Sequence, residues 1–319
     1  MQFSLKYFYR KAHISKNIIR INSHFFLNKK TLSVYNISKP SSLISLNNYN
    51  NSRELFDFNV LKLNLAGSGF KDKIYQKLCP IIDFCITHQI KLEWDEDIGV
   101  YGNWSDYFLS IDQTIKFNNI TLSNRKVKNF SPTWSNNDTD FLLHILENYN
   151  SNYINEIYRF TPSTRSQIDK NIKGLNLKKN YVAVQVRRGD KITSNQIQNI
   201  TPKDVLNKLP WFTKQLFIAT DDYTFVEELR TLNKKLDIVT TALPSHRGAD
   251  EGNTFNSNTF NTKIETLRFL IDIEVCKRAT FFIQVIPENP TTVNGKIPNL
   301  LISYFISHLR GFKSVIKLK

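Results

Sequence analysis

Two adjacent arginines, Arg187 and Arg188, close the short run Tyr181–Val186, and Asp190 and Lys191 follow across Gly189. An arginine fork makes bidentate, charge-assisted hydrogen bonds and keeps its proton, so a pyrophosphate is its natural partner. Two further clusters carry suitable groups. Asp221 and Asp222 close a second apolar run, Leu216–Thr220, and Glu265, Arg268 and Asp272 fall at i, i+3 and i+7 of a helical stretch. A carboxylate at Asp272 can accept a pair of N–H bonds from a ligand. It can equally pair with Arg268 as a solvated i, i+4 ion pair. The arginine pair likewise reads either as a diphosphate site or as a solvated basic turn.

The elements that must position these groups are legible. Tyr181, Val182, Ala183, Val184 and Val186 are apolar and largely β-branched, the signature of a buried parallel strand. Ligands of open α/β sheets bind beyond the carboxyl ends of such strands, where both arginines fall. Thr201-Pro202 predicts a capped helix start, with the helix running to about Leu209. Strands are predicted at 216–220, 236–240 and 280–285, and helices at 223–234 and 262–278. On the last helix Ile264, Leu267, Ile271 and Val275 share one face, which is predicted to be core. The polar loop 242–261 is long enough to close over a ligand. Alternation of strand and helix implies right-handed crossovers and a parallel sheet.

Upstream, VLKLNL at 60–65 predicts a strand, Gly67 and Gly69 a tight turn, 71–88 a helix and 91–94 another strand. Residues 116–160 read as polar connection plus one helix, 139–149. Ser163 is the expected cap of a helix over 164–172. Trp104 is expected to pack, with a place in a cleft wall, beside Gly67 and Gly69, as the second reading.

The chain has 319 residues and a formal net charge of +15, enough length for two domains. The charge is uneven: residues 1–53 hold nine Lys/Arg and no acid. A partly ordered leader is the preferred reading of this arm. A membrane-surface contact through Phe3, Tyr7, Phe8 and Tyr9 beside Lys6, Arg10 and Lys11 is a second, and a transit peptide a third. With the basic excess concentrated there, and no nucleic-acid motif, a nucleic-acid partner is not expected. Cys79, Cys85 and Cys276 lie in apolar stretches, too few and too scattered for a disulfide framework or zinc site. That fits a reducing, cytoplasmic setting, with membrane-surface association if the arm binds lipid.

Taken together, V-x-V-R-R-G-D-K, A-T-D-D and L-R-x-x-x-x-D-I resemble the catalytic domain of the fucosyltransferase superfamily. The α1,6-fucosyltransferases, including the rhizobial nodulation enzymes, are most alike; the α1,2- and protein O-fucosyltransferases are more distant. Gly67-Ser68-Gly69-Phe70 and the segment 92–108 resemble that family's Gly-rich loop and G-x-W segment. The likeness runs in short blocks over about residues 60–290. It implies a GT-B-like α/β fold of two Rossmann-like domains facing across a cleft. The domains would be 53–165 on the acceptor side and 166–319 for the nucleotide sugar, after an arm and linker over 1–52. It implies GDP-fucose as donor substrate, a glycan as acceptor, inversion, and neither cofactor nor metal. Arg187, Arg188 and Asp190 become the catalytic group. Gly67, Gly69, Gln185, Arg187, Lys191, Asp221, Asp222, Arg268, Asp272 and Glu288 become the donor-binding group. The sequence departs from the family pattern at three places. Asn195 stands where the family's proposed base is a Glu, Gln185 replaces a common His, and Glu288 replaces a Ser near the donor. The alternatives are therefore a GDP-sugar or glycan binder without catalysis, or a transferase using another GDP-sugar.

Overall fold

The computed structural model describes residues 57–65, 74, 77–117, 121–131, 139–149, 153–188, 200–246, 262–285, 292–293, 297–298 and 302–318. The chain is α/β, built on two parallel sheets. In the first part β1 (Val60–Leu63) leads to α1 (Cys79–Thr87) and β2 (Lys91–Trp94). Two short 3-10 turns, Gly99–Tyr101 and Trp104–Asp106, precede α2 (Ile111–Thr114), and a third, Leu122–Asn124, leads into β3 (Val127–Phe130). Helices α3 (Thr139–Asn148) and α4 (Ile154–Ile157) follow. The strands make a three-stranded sheet in the order β2-β1-β3, with Leu61 opposite Leu92 and Lys128.

Strand β3 corrects the sequence reading, which takes 116–160 as connection plus one helix. In Val-Lys-Asn-Phe only Phe130 is buried, and Val127 is 44% exposed. An edge strand with one buried side chain leaves almost no apolar alternation to detect.

The second part starts with α5 (Pro162–Gly174), then β4 (Val182–Val186), α6 (Pro202–Lys208), β5 (Gln215–Thr220) and α7 (Tyr223–Leu232). It continues with β6 (Asp237–Thr240), α8 (Thr262–Arg278) and β7 (Phe281–Val285). A two-stranded antiparallel pair, β8 (Thr292–Val293) and β9 (Ile297–Pro298), precedes α9 (Ile302–Leu309) and β10 (Val315–Leu318). Five parallel strands pair in the order β10-β7-β4-β5-β6. Strand β4 lies at the centre, with Val184 opposite Ile218 on one side and Ile283 on the other. Its apolar run is nearly continuous because both faces are covered by helices.

The helix ends follow local chemistry. Thr201 caps α6 in a full capping box with Asp204, as the Thr-Pro signal predicts. Helix α5 starts earlier than expected: Thr161, not Ser163, is the cap, and its hydroxyl oxygen accepts from the Thr164 amide at 3.2 Å. Proline at the first helical position moves the start back to 162. In α8, Leu270, Ile271, Ile273 and Val275 are buried, but Ile264 is 54% exposed. The expected core face therefore holds only over the last three turns of the helix.

Helix α8 packs against Tyr101 of the first part and against α5 and Tyr181 of the second. The Glu274 carboxylate, 2% exposed, meets Arg165 of α5 at 2.9 Å and Lys277 and Arg278 at 3.3 Å. Thr266 donates to the Tyr101 carbonyl at 3.3 Å, and the Tyr101 and Phe269 rings pack 5.6 Å apart. The Tyr181 hydroxyl, just before β4, donates to the Val275 carbonyl at 2.7 Å.

Candidate functional site

The carboxyl ends of β4, β5 and β6, with the face of α8 beside them, gather most of the described candidates. Arg187 and Arg188 leave β4 in succession, so their side chains diverge. Arg187 is exposed; Arg188 is half-buried. The Arg188 amide donates to Asp221 Oδ1 at 2.8 Å, and its Nε lies 3.3 Å from Asp222 Oδ2. Its guanidinium rests over the Phe225 ring, 5.5 Å from the centroid. Asp222 is engaged further, because its Oδ1 accepts from the Thr224 amide at 2.9 Å and the Thr224 hydroxyl at 2.6 Å and caps α7. The acidic pair thus locks Arg188 and the start of α7 in place. Gln185 stands one residue inside the sheet, half-buried opposite Ala219.

The second cluster sits where β6 meets α8. The Thr240 hydroxyl donates back to the Ile218 carbonyl at 2.7 Å, while its oxygen accepts from the Ala242 amide at 3.0 Å, which fixes the turn after β6. That turn aims the Thr241 hydroxyl at Asp272 Oδ1. Arg268 pairs with Glu265 through both carboxylate oxygens, and not with Asp272 as the i, i+4 reading has it. Its Nη1 also reaches His246 Nε2 at 3.1 Å, and the Leu243 amide faces His246 Nδ1 at 3.3 Å. The His246 carbonyl accepts from the Tyr223 amide at 2.9 Å, tying this turn to the start of α7.

The electrostatics follow from that packing. Burial pushes the Asp272 carboxyl up to about 7; the Thr241 hydroxyl and the Arg268 charge pull it down, and Glu265 adds to the rise. Near neutrality Asp272 is therefore divided between a hydrogen-bond donor and an acceptor. Burial, and then the Arg268 charge, hold His246 below the usual histidine value. Both of its ring nitrogens face donors, which disfavours the imidazolium.

Trp104 belongs to the core and not to a cleft wall. It is fully buried, its indole N–H donates to the Leu109 carbonyl at 2.8 Å, and its ring stacks on Phe108 at 4.1 Å. Gly102, two residues before it, has φ +95°, and a Cβ there would meet Asp106 Oδ2 at 3.2 Å. The G-x-W segment is thus a turn that seats an indole.

The structure brings Arg187, Arg188, Asp221 and Asp222 together at the adjacent ends of β4 and β5, and Arg268 and Asp272 together on α8 with Thr241 and His246. Gly67, Gly69, Asp190, Lys191, Asn195 and Glu288 lie outside the described residues. Thr241 and His246 are absent from the sequence reading. Their partners are 31 and 22 residues away, and the one available signal was the length of the polar loop that His246 opens.

No protein-family model matches the chain, and comparison with curated proteins gives no match. Among solved structures, the chain is similar to the fucosyltransferase NodZ from Bradyrhizobium, at 12% identity and a TM-score of 0.42, covering 75% of this chain and 90% of that one. It is similar to the NodZ alpha-1,6-fucosyltransferase co-crystallized with GDP, at 12% identity and a TM-score of 0.42, covering 80% and 92%. It is also similar to POFUT1 in its apo form, at 10% identity and a TM-score of 0.47, covering 83% and 99%.

Proposed function

We propose that this chain is a glycosyltransferase that moves fucose from GDP-fucose to a glycan hydroxyl with inversion and without a metal. In this reading residues 53–165 form the acceptor-side lobe and 166–319 the nucleotide-sugar lobe. The observation that carries the proposal is an arginine pair at the carboxyl edge of a parallel sheet, with Arg188 held by Asp221 and Asp222 and Arg187 exposed beside it. Breaking the sugar–phosphate bond builds negative charge on the β-phosphate. A fixed guanidinium there binds the transition state more tightly than the ground state, supplying the charge that a divalent ion would otherwise bring. The Asp272 carboxylate receives the guanine N1–H and N2–H, which uracil and adenine cannot present in that pattern. Arg268, set by Glu265 and His246, lines the same side. Asp190 and Lys191 complete the phosphate and acceptor contacts.

An inverting transfer calls on a base to remove the proton from the acceptor hydroxyl. Asn195 occupies the position of the expected acid, and the first acid after Lys191 is Asp204. Asp204 is committed elsewhere: its Oδ2 accepts from the Thr201 amide at 2.8 Å and hydroxyl at 2.6 Å, which hold its carboxyl below the ordinary range. This favours, as a second reading, a GDP-sugar or glycan binder that does not turn over. The deciding experiment is release of GDP from GDP-fucose and GDP-mannose against a panel of glycan acceptors, with Arg187→Ala as control. Turnover abolished by Arg187→Ala supports the transferase. Tight GDP binding with no turnover supports the binder, and no GDP binding rejects both.

A further inference from the structure

The opposite end of the five-stranded sheet carries a different chemistry. Parallel strands put all their amino ends on one edge, and lysine stands at four of the five. Lys178 and Lys179 precede β4, Lys214 precedes β5, Lys234 and Lys235 precede β6, and Lys313 precedes β10. All six are exposed. At the usual strand spacing they spread over about 20 Å. Asp237, at the start of β6, offsets one of them by pairing with Lys178 at 3.1 Å.

Among these lysines a turn projects two large aromatic side chains. The Thr213 amide and hydroxyl both bond the Pro210 carbonyl, at 2.9 and 2.6 Å, so the turn is braced. Trp211 at its tip is 76% exposed and Phe212 46%. Their rings meet edge to face at 5.7 Å, and Phe212 packs on Phe281 at the same distance. Beside the turn opens a cleft of about 360 Å³, with Phe212 and Phe281 in its wall and Lys178, Lys179 and Lys214 at its rim. Leu232, at the end of α7, adds a third exposed apolar side chain at 48%.

We propose that this edge docks on an anionic lipid surface. Tryptophan and phenylalanine on a braced turn match the interfacial zone of a bilayer, and lysines spread over a sheet edge match its negative charge. Single-stranded nucleic acid fits less well: an edge-to-face pair offers no parallel stacking platform, and lysine lacks the fork that reads phosphates bidentately. The proposed contact is peripheral, and among the described residues no helix is long and apolar enough to cross a membrane. It uses residues other than those of the basic arm, and it leaves the carboxyl edge, with Arg187, facing away from the lipid.

The test is co-sedimentation of the full chain with vesicles of phosphatidylcholine alone and with about one third phosphatidylserine. Binding to the anionic vesicles only, weakened by salt, is expected. Lys179→Gln with Lys214→Gln is expected to weaken it about 30-fold, since each lysine near such a surface is worth about a factor of five. Trp211→Ala with Phe212→Ala is expected to weaken it at least tenfold. Charge reversal of Lys6, Arg10 and Lys11 should leave most of the binding in place. Retention of binding in both edge variants, or loss only in the arm variant, overturns the proposal. So does binding of a single-stranded RNA oligomer that the same edge substitutions abolish while vesicle binding is absent. A GDP-induced rise in melting temperature that persists in the edge variants separates failure here from failure of the nucleotide site.

Discussion

Raising the pH from 6 to 8 should strengthen GDP-fucose binding about tenfold. The guanine edge presents two N–H donors, so it binds the ionised carboxylate of Asp272 and not the neutral acid. With the carboxyl at about 7, roughly one molecule in eleven is ionised at pH 6, half at pH 7 and ten in eleven at pH 8. Observed affinity scales with that fraction, and the tenfold change corresponds to about 1.4 kcal/mol. Binding at pH 7 should release about half a proton. GDP-fucose is the right probe because its pyrophosphate is esterified at both ends and has no group titrating in this window, unlike the terminal phosphate of GDP. Isothermal titration in buffers of different ionisation enthalpy reads affinity and proton release together. The groups facing Asp272 do not imitate the effect. Arg268 keeps its charge, and His246 lies below its ordinary value. Protonation of His246 at low pH would add attraction for phosphate and give a slope of the opposite sign. In Asp272→Asn the pH dependence should disappear and affinity should fall at pH 8. A wild-type affinity that is flat or falling between pH 6 and 8 refutes the assignment of guanine to Asp272.

Asp272 also links pH to stability. Its folded value lies above the unfolded one, so the protonated form contributes stability that is lost as pH rises from about 4 to about 7. Asp272→Asn is therefore expected to stabilise the ligand-free protein at pH 8 by about 1–2 kcal/mol in urea. Arg188→Ala should cost about 1–3 kcal/mol by removing the cation beside the partly buried Asp222 carboxylate. Arg187→Ala should lower transfer by at least about 100-fold, read as GDP release; retained turnover would contradict its place at the β-phosphate. Glu274→Ala removes the buried partner of Arg165, Lys277 and Arg278 and should cost about 3–5 kcal/mol, read from the denaturation midpoint; a loss below about 1 kcal/mol would place the charges in solvent.

The parts of this chain that announce themselves in sequence are those whose burial is one-sided or complete over several residues. Strands β4 and β5 are continuous apolar runs, and the Thr201-Pro202 start of α6 is local chemistry, so both follow from neighbours along the chain. Strand β3 contributes one buried side chain and leaves no period. Ile264 occupies a core-phase position on α8 yet is exposed, because the first turn of the helix reaches past the packed region. The site divides in the same way. The arginines and aspartates at strand ends are visible because parallel sheets direct chemistry to one edge. The Thr241–Asp272 bond and the contact of His246 with Arg268 depend on how a turn after one strand meets a distant helix, and no spacing rule carries that. The choice of Glu265 over Asp272 by Arg268 is local in sequence, but the i, i+3 and i, i+4 spacings admit either partner.

Helix α8 reads in two directions at once. Arg268 and Asp272 serve the candidate nucleotide site, while Thr266, Phe269 and Glu274 hold Tyr101 and Arg165 of the elements before β4. These positions interleave within three turns, and each residue added turns the helix by about 100°. Inserting or deleting one residue between Thr266 and Glu274 would misplace both sets together, and no compensating change on one side restores the other. Descendants of this gene can lengthen the connections before and after the helix, but within it the register itself is inherited as a single unit.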